Sequence, residues 1–465
     1  MNKNHIVILV LLVILCFGNI AIAGSPDWLW AKSSGGKANE EAKDLCTDAA
    51  GNVYVTGFFN SPTITFGSDT LKSAGSGDIF IVKYDASGNV LWAKRAGGES
   101  SDVGNGITCD ATGNIYVTGY YQSAIFAFGK DTLKNAGNTD VFILKYDASG
   151  KEIWAKSIGE DGNDAGQSIH TDAANNVFVS GYFQSATITF GVNILTNSSN
   201  KGTSDIFIAK YNATGNVVWA KSAGGTSYDF GTGISNDANG NVLLTGYFKS
   251  PVLTLGDITL KNATPDGTVS DIFVAKYDPL GNVLWAKSAG GSTDDGSNSI
   301  STDASGNIYI AGYFQSTAIT FGSVTLTNTG SYDIFIAKYD ASGNVAWAKN
   351  VWGDSYDYAT GVCTDATGNV FLTGYFQSKT ITFGSTTLTN ENDGSISNIF
   401  IAKFDSLGNV IDARSAGGTG DDESNAISID AIGKPHIAGY FQSPAISFGS
   451  SNLTNSGSSD IFIAM

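Results

Sequence analysis

Short apolar runs of strand length recur along the chain, separated by clusters of Gly, Asp, Asn and Ser. Residues 299–349 show the grammar. Ser299–Asp303 reads as a strand, Asn307–Phe314 as a second, Asp333–Tyr339 as a third and Asn344–Lys349 as a fourth. They are called a, b, c and d. β-Branched and aromatic residues fill them, and Gly and Asp punctuate them. Between b and c lies a polar excursion that includes Ile319–Gly322 and Thr325–Asn328. No segment sustains a 3.6-residue period, so almost no helix is expected beyond the N-terminal leader.

The unit recurs seven times. A Gly-aromatic-aromatic tag marks it at Gly57, Gly119, Gly181, Gly246, Gly312, Gly374 and Gly439, spaced by 62, 62, 65, 66, 62 and 65 residues. Such a period belongs to repeat architectures. Side-chain size is graded across the unit: strand a is rich in Ser, Thr, Gly and Ala, b carries Tyr or Phe, c carries Phe, and d usually carries Trp. Crowding at one end and bulk at the other suit a radial wedge. Strands b and c are almost continuously apolar, as strands covered on both faces are. The predicted fold is an all-β, seven-bladed β-propeller of four-stranded antiparallel blades. The ends agree. Trp28–Lys32 matches a d strand and Asp460–Met465 matches a c strand, so the N-terminal strand should pair with the C-terminal one and close the ring.

The a–b and c–d turns share the pattern Asp-x-x-Gly, which suits a type I turn followed by a left-handed residue. Asn175 replaces Gly in one copy, and Pro279 follows Asp278 in another; both substitutions are compatible with that turn. These aspartates read as turn caps rather than metal ligands. All such turns lie on one face. The b–c excursions and d–a crossings emerge on the other, where length varies, and any ligand site belongs on that loop-rich face.

Residues 1–23 hold Lys3, an apolar run from Ile6 to Phe17 and Ala21-Ile22-Ala23, which reads as a cleavable signal peptide; residues 24–465 then form one propeller domain. No later stretch is apolar and long enough to span a membrane. The expected location is secreted or cell-surface, the periplasm included. The chain has 26 basic and 43 acidic residues, a formal charge of −17. That balance disfavours nucleic acid and anionic membranes. Cys46, Cys109 and Cys363 remain after the leader, an odd number that makes no disulfide framework.

Asp-Ile-Phe-Ile-Ala-Lys-Tyr-Asp, Gly-Asn-Val-Leu-Trp-Ala-Lys, Gly-Asn-Ile-Tyr-Val-Thr-Gly-Tyr-Phe and the Thr-Ile-Thr-Phe-Gly spacer together resemble the bacterial SBBP β-propeller repeat. The resemblance recurs in all seven units. It implies an exported or surface propeller and supplies no catalytic residues.

One acid precedes strand a in every unit: Glu40, Asp102, Asp164, Asp229, Asp295, Asp357 and Asp422. Seven acids at equivalent positions are expected to ring the channel mouth, where converging carboxylates could hold Ca²⁺. The competing reading, favoured by the repetition, is that each holds its own crossing loop. No other cofactor is called for. Tyr228, Phe230, Trp352, Tyr356 and Tyr358 break the sevenfold symmetry; Tyr228, Trp352 and Tyr356 are taken as candidate binding residues, with packing between blades the alternative. His170 and His436 sit in no metal-spacing cluster. No nucleophile elbow or P-loop occurs. The function expected is a noncatalytic scaffold binding an extracellular protein or glycan; the alternative is a carbohydrate-active enzyme using two rim carboxylates.

Overall fold

The computed structural model describes residues 28–199, 202–392 and 394–465. The expected signal peptide lies outside them. In blade 1, strands a to d are Glu40–Thr47, Val53–Phe59, Asp78–Tyr84 and Val90–Ala96. They pair in that order as one antiparallel sheet. Six more such sheets follow, with neighbouring a strands in contact around a central axis, blade 7 against blade 1 included. The protein is a seven-bladed β-propeller, and the described residues contain no helix.

Blade 7 joins both ends of the chain. Its a, b and c strands are Asp422–Ile429, Pro435–Phe441 and Asp460–Ala464, and its d strand is Ala31–Ser34. Ala31 pairs with Ala464 and Ser34 with Ile461. No c–d turn exists in this blade, because those strands come from opposite ends of the chain.

The b–c excursion is more ordered than a loop. In blade 1 it folds into a hairpin of Thr63–Phe66 and Asp69–Lys72, and every other blade repeats it. Its Thr-Ile-Thr-Phe strand alternates outward and inward, so Ile64 and Phe66 are buried. The Phe66 ring packs on Phe80 of strand c at 5.2 Å. In blade 4 the hairpin also pairs with the end of the preceding blade's d strand, Ala223 opposite Leu255, which covers an edge otherwise open. Strand a carries a second unforeseen feature. Its pairing with b shifts by one residue in every blade, at Lys43 in blade 1. The bulge re-aims that side chain.

The apolar core lies between blades, with one buried cluster at each of the seven junctions. Strand d contributes a tryptophan that packs forward on the next blade. Trp30, Trp92, Trp154, Trp219, Trp285 and Trp347 lie over the c–d turn glycines Gly88, Gly150, Gly215, Gly281, Gly343 and Gly408. A β-carbon on any of these glycines would fall 2.8–3.1 Å from the indole. Their φ of 77–83° also excludes most side chains. Asn175 adopts φ 61° in the one turn without glycine.

The three described cysteines, Cys46, Cys109 and Cys363, are free. Cys109 is offset by one residue from the slot of Cys46, yet its thiol lies beside the Cys46 thiol across the junction of blades 1 and 2, where Cys109 Sγ–H donates to Thr47 O at 3.3 Å. Adjacent blades face each other with opposite sheet surfaces, so the offset aims Cys109 at its neighbour. Burial pushes the Cys46 thiol well up, which keeps it unreactive. Thiol titration of unfolded, unreduced residues 24–465 should count three; a count of one would reveal a Cys46–Cys109 bridge.

Candidate functional site

The seven strand-a acids are fully buried. They do not converge on the channel mouth; each is sealed beneath its own crossing loop. Asp102 Oδ2 accepts from Gly98 N–H and Ser123 Oγ–H, both at 2.7 Å, and its Oδ1 accepts from the amides of Gln122 and Ser123 at 3.1 and 3.2 Å. Asp164 repeats this with Glu160, Gln184 and Ser185. Ser61, Ser250, Ser316, Ser378 and Ser443 serve Glu40, Asp229, Asp295, Asp357 and Asp422 in the same way. The crossing glycines have no room for a phosphate: a β-carbon on Gly98 would sit 2.2 Å from the Ile125 carbonyl oxygen. Among the described residues, no group of three or more His, Cys, Asp or Glu side chains is placed to hold a metal ion.

Six of these seven acids face a second one across the junction, and the seventh, Asp422, faces an amide. The first residue of strand c is Asp78, Asp140, Asp205, Asp271, Asp333, Asn398 or Asp460, and all are buried. Burial pushes Asp140, Asp205, Asp271 and Asp333 up to about 6. Across the junctions Asp229, Asp295 and Asp357 are pushed up to about 7, first by burial and further by the charges of Asp205, Asp271 and Asp333. One oxygen of each strand-c aspartate, Oδ1, has no hydrogen-bond partner in Asp140, Asp205, Asp271, Asp333 and Asp460. In blade 1, Arg95 Nη1 donates to Asp78 Oδ1 at 2.8 Å instead. In blade 6 the residue is Asn398, which removes the charge. Two buried carboxylates at close range hold one proton between them.

The next residue of strand a points to the mouth. Glu41, Phe230, Tyr358 and Glu423 are the large ones, and each pairs across the sheet with the second residue of the tag: Phe58, Tyr247, Tyr375 and Tyr440. Rings link across blades. Tyr182 meets Phe230 at 4.9 Å and Phe230 meets Tyr247 at 5.1 Å. Tyr313 meets Tyr358 at 4.8 Å, and Tyr358 stacks on Tyr375 at 5.1 Å. Tyr332 stacks on both Tyr356 and Tyr358, at 5.2 and 5.3 Å. These two aromatic groups span blades 3–6. Acids occupy the rest of the mouth. Glu423 is hydrogen-bonded to Ser397 and Tyr440, and burial pushes its carboxyl up to about 7, with Asp421 and Glu41 adding to the rise. Lys43 pairs with Glu41 and lies 5.6 Å over the Phe58 ring.

The mouth therefore gathers Tyr356 but not the other candidate aromatics by ring contact. Tyr228, Trp352 and Tyr356 are 41%, 51% and 45% exposed. The half-buried tag tyrosines and Tyr332 were not singled out from the sequence. Their signal was the tag itself, whose two aromatics alternate between mouth and core. Below the mouth, the bulged residues Lys43, Asn105, Gln167, Thr232, Asn298, Thr360 and Asn425 line a channel cavity of 140 Å³. Most donate to the next blade's backbone, as Asn425 Nδ2 does to Ala42 O at 2.9 Å across the closure. His436 is fully buried and contacts Asp430, in the slot where Tyr54, Tyr116 and Tyr309 donate to the equivalent turn aspartate. It is a packed residue.

Similarity to known proteins supports the repeat reading. The chain is 26% identical to an uncharacterized WD repeat-containing protein of Acanthamoeba polyphaga mimivirus, over 94% of this chain and 38% of the relative. It is 23% identical to the regulatory protein FlaEY of Caulobacter vibrioides, over 81% of this chain and 41% of the relative. The chain thus spans about two fifths of the length of these curated relatives. Among solved structures, the Neurospora crassa Pan2 WD40 domain aligns with a TM-score of 0.41 and 9% identity, covering 94% of this chain and 97% of that one. Sqt1 from Chaetomium thermophilum aligns at 0.39 and 9%, covering 94% and 99%. No helix among the described residues is long and apolar enough to cross a membrane. Residues 91–126 match the model of the SBBP family, Beta-propeller repeat.

Proposed function

We propose that the protein is an exported, noncatalytic scaffold that holds a protein or glycan partner at the mouth of its loop-rich face. The observation that carries this reading is the two groups of packed rings, Tyr182–Phe230–Tyr247 and Tyr313–Tyr332–Tyr358–Tyr375, flanked by Glu41, Asp421 and Glu423. Ring faces take up sugar C–H surfaces or apolar peptide side chains, and cations where they are exposed. The adjacent carboxylates accept hydroxyl or ammonium donors. The net charge of −17 favours a neutral or cationic partner over an anionic one.

The test is a glycan array and a surface-protein pulldown with the purified chain. A double Tyr332→Ala, Tyr358→Ala variant should weaken the captured partner at least tenfold, because both rings stack in the second group. Leu280→Ser, on an exposed c–d turn of the opposite face, should leave capture unchanged. Equal capture by the tyrosine variant would sink the reading. One feature favours the enzymatic alternative: Glu423, held near 7 beside Asp421, is a carboxyl poised to give a proton. Oligosaccharide hydrolysis that disappears in Glu423→Gln would decide for it.

A further inference from the structure

Six junctions between blades share one construction, and the seventh departs from it. Strand d of blades 1–5 and 7 supplies a tryptophan to the next blade's c–d turn. Strand c of blades 1–5 supplies a lysine that donates to a carbonyl of the same turn. These contacts are Lys83 to Ala148, Lys145 to Ala213, Lys210 to Pro279, Lys276 to Ala341 and Lys338 to Ser406, at 3.0–3.4 Å. Three of the indole N–H groups donate there too, Trp219 to Pro279, Trp285 to Ala341 and Trp347 to Ser406. An aromatic plate, a cation and a carbonyl oxygen thus meet at five junctions, and the plate meets the turn without the lysine at the junction of blades 7 and 1.

At the junction of blades 6 and 7 both the plate and the oxygen are missing. Asp412 stands in the tryptophan slot, between Ile411 and Ala413. Blade 7 draws its c and d strands from opposite ends of the chain, and among the described residues no c–d turn faces Lys403. The lysine remains. Lys403 Nζ keeps its place 4.9 Å over the Phe371 ring, as Lys83 does over Tyr54, yet donates to no oxygen among the described residues. What is left is a cavity of 430 Å³, lined by Trp28, Leu29, Phe371, Lys403, Ile411 and Lys434, among others. That size falls within the roughly 300–1,000 Å³ of small-molecule sites. Asp412 does not neutralise Lys403; its carboxylate is paired with Arg414 Nε at 3.0 Å on its own strand. The apolar cluster of this junction is the smallest of the seven among the described residues, so little else fills the space.

We propose that this cavity binds a flat aromatic group carrying a carboxylate. The aromatic ring would take the volume that an indole fills in the sibling junctions, between Phe371 and the Trp28–Leu29 segment. The carboxylate would supply the oxygen that Lys403 lacks, with Lys434 adding a second positive charge at the wall. Charge favours a carboxylate over a neutral carbonyl: the lining carries Lys403, Arg414 and Lys434 against one side-chain carboxylate, Asp412. The ligand is either a free aromatic acid or the C-terminal residue of a peptide ending in Trp, Tyr or Phe. The cavity lies at the tight-turn end of the blades, away from the tyrosine mouth, and stands independently of what the mouth binds.

Calorimetric titration with indole-3-acetate tests the site. A ligand of this size should bind the wild-type chain with Kd of roughly 0.1–1 mM. Indole-3-acetamide should bind at least fivefold more weakly, because it lacks the charge. Lys403→Met should weaken indole-3-acetate at least tenfold. Asp412→Trp restores the sibling residue, fills the cavity and should abolish binding while the melting temperature holds or rises. Tyr358→Ala, at the mouth, should bind as the wild type does. Absence of binding at 10 mM, or retention of wild-type affinity by either cavity variant, overturns the proposal; Lys403→Met decides alone if the tryptophan variant does not fold. A peptide ending in Trp, compared with its C-terminal amide, separates the two sources. Tighter binding of the free-acid peptide than of indole-3-acetate assigns the site to peptide termini, and the reverse order assigns it to small acids.

Discussion

Deleting residues 460–465 is expected to cost most of the stability of the propeller. This segment is the c strand of blade 7 and lies between b and d in its sheet. Its Ile461, Phe462 and Ile463 are buried, and each such side chain contributes about 1.5–3 kcal/mol by burial. Their sum is of the same order as the whole net stability of a typical domain, about 5–15 kcal/mol. The deletion also unpairs strand b over Ile437–Phe441 and leaves the N-terminal strand no partner. Deleting residues 28–34 should be milder. It removes the outer strand, the edge contact of Trp28 with Phe448 at 4.9 Å and the packing of Trp30 on blade 1. Thermal melts of the full chain and both deletions should rank in that order, the first showing no cooperative transition near the wild-type temperature. Identical melting of the shortest form and the full chain would mean that the ring does not depend on this closure.

The closure was legible because it needs only two facts, that the first run looks like d and that the last looks like c. The hairpins were not. Their strands are four residues long, and Thr-Ile-Thr-Phe reads equally well as an excursion until Phe66 is seen resting on Phe80. The acids were found at the right positions, but their direction was not. A residue at the start of strand a can face the mouth or the neighbouring blade, and alternation settles which only after the pairing is known. With Asp102 opposite Tyr121 and Val103 opposite Tyr120, the acid turns to the junction and its successor to the mouth. The same rule puts the tag tyrosines where Tyr228, Trp352 and Tyr356 were looked for. Asp412 was visible as a departure from Trp. Its consequence was not, because a single blade does not reveal that the indole packs forward on its neighbour's turn.

The buried carboxylates should make the protein more stable at pH 5 than at pH 8. The direction follows from binding more protons when folded. In the unfolded chain Asp140, Asp205, Asp271 and Asp333 titrate near 4. In the folded chain burial holds them near 6, and their partners Asp229, Asp295 and Asp357 near 7. A raised folded value means stability that is fully present below the unfolded value and is lost as pH rises through the folded one. The loss therefore falls between about pH 4 and pH 7. A tenfold gain in proton affinity on folding is worth about 1.4 kcal/mol, and because partners share a proton the sum runs over junctions, not over groups. A loss of several kcal/mol between pH 5 and pH 8 is of the right order. Below this window the turn aspartates act in the opposite sense. Asp85, Asp147, Asp278 and Asp340 are lowered by their hydrogen bonds to the turn, so their contribution is lost as pH falls below about 4. Stability should thus peak near pH 5. The natural Asn398 shows how to test the cause. Replacing Asp140, Asp205, Asp271 and Asp333 by Asn removes the shared proton from four junctions while keeping the shape of each side chain. Denaturant melts from pH 4.5 to 8.5 should show the wild type weakening across that range and the fourfold variant weakening less steeply, the remainder coming from Asp44, Asp422 and Glu423, which burial raises in both. A wild type that is steadier at pH 8 than at pH 5, or a variant with the same slope as the wild type, would show that these pairs keep both charges and are satisfied some other way.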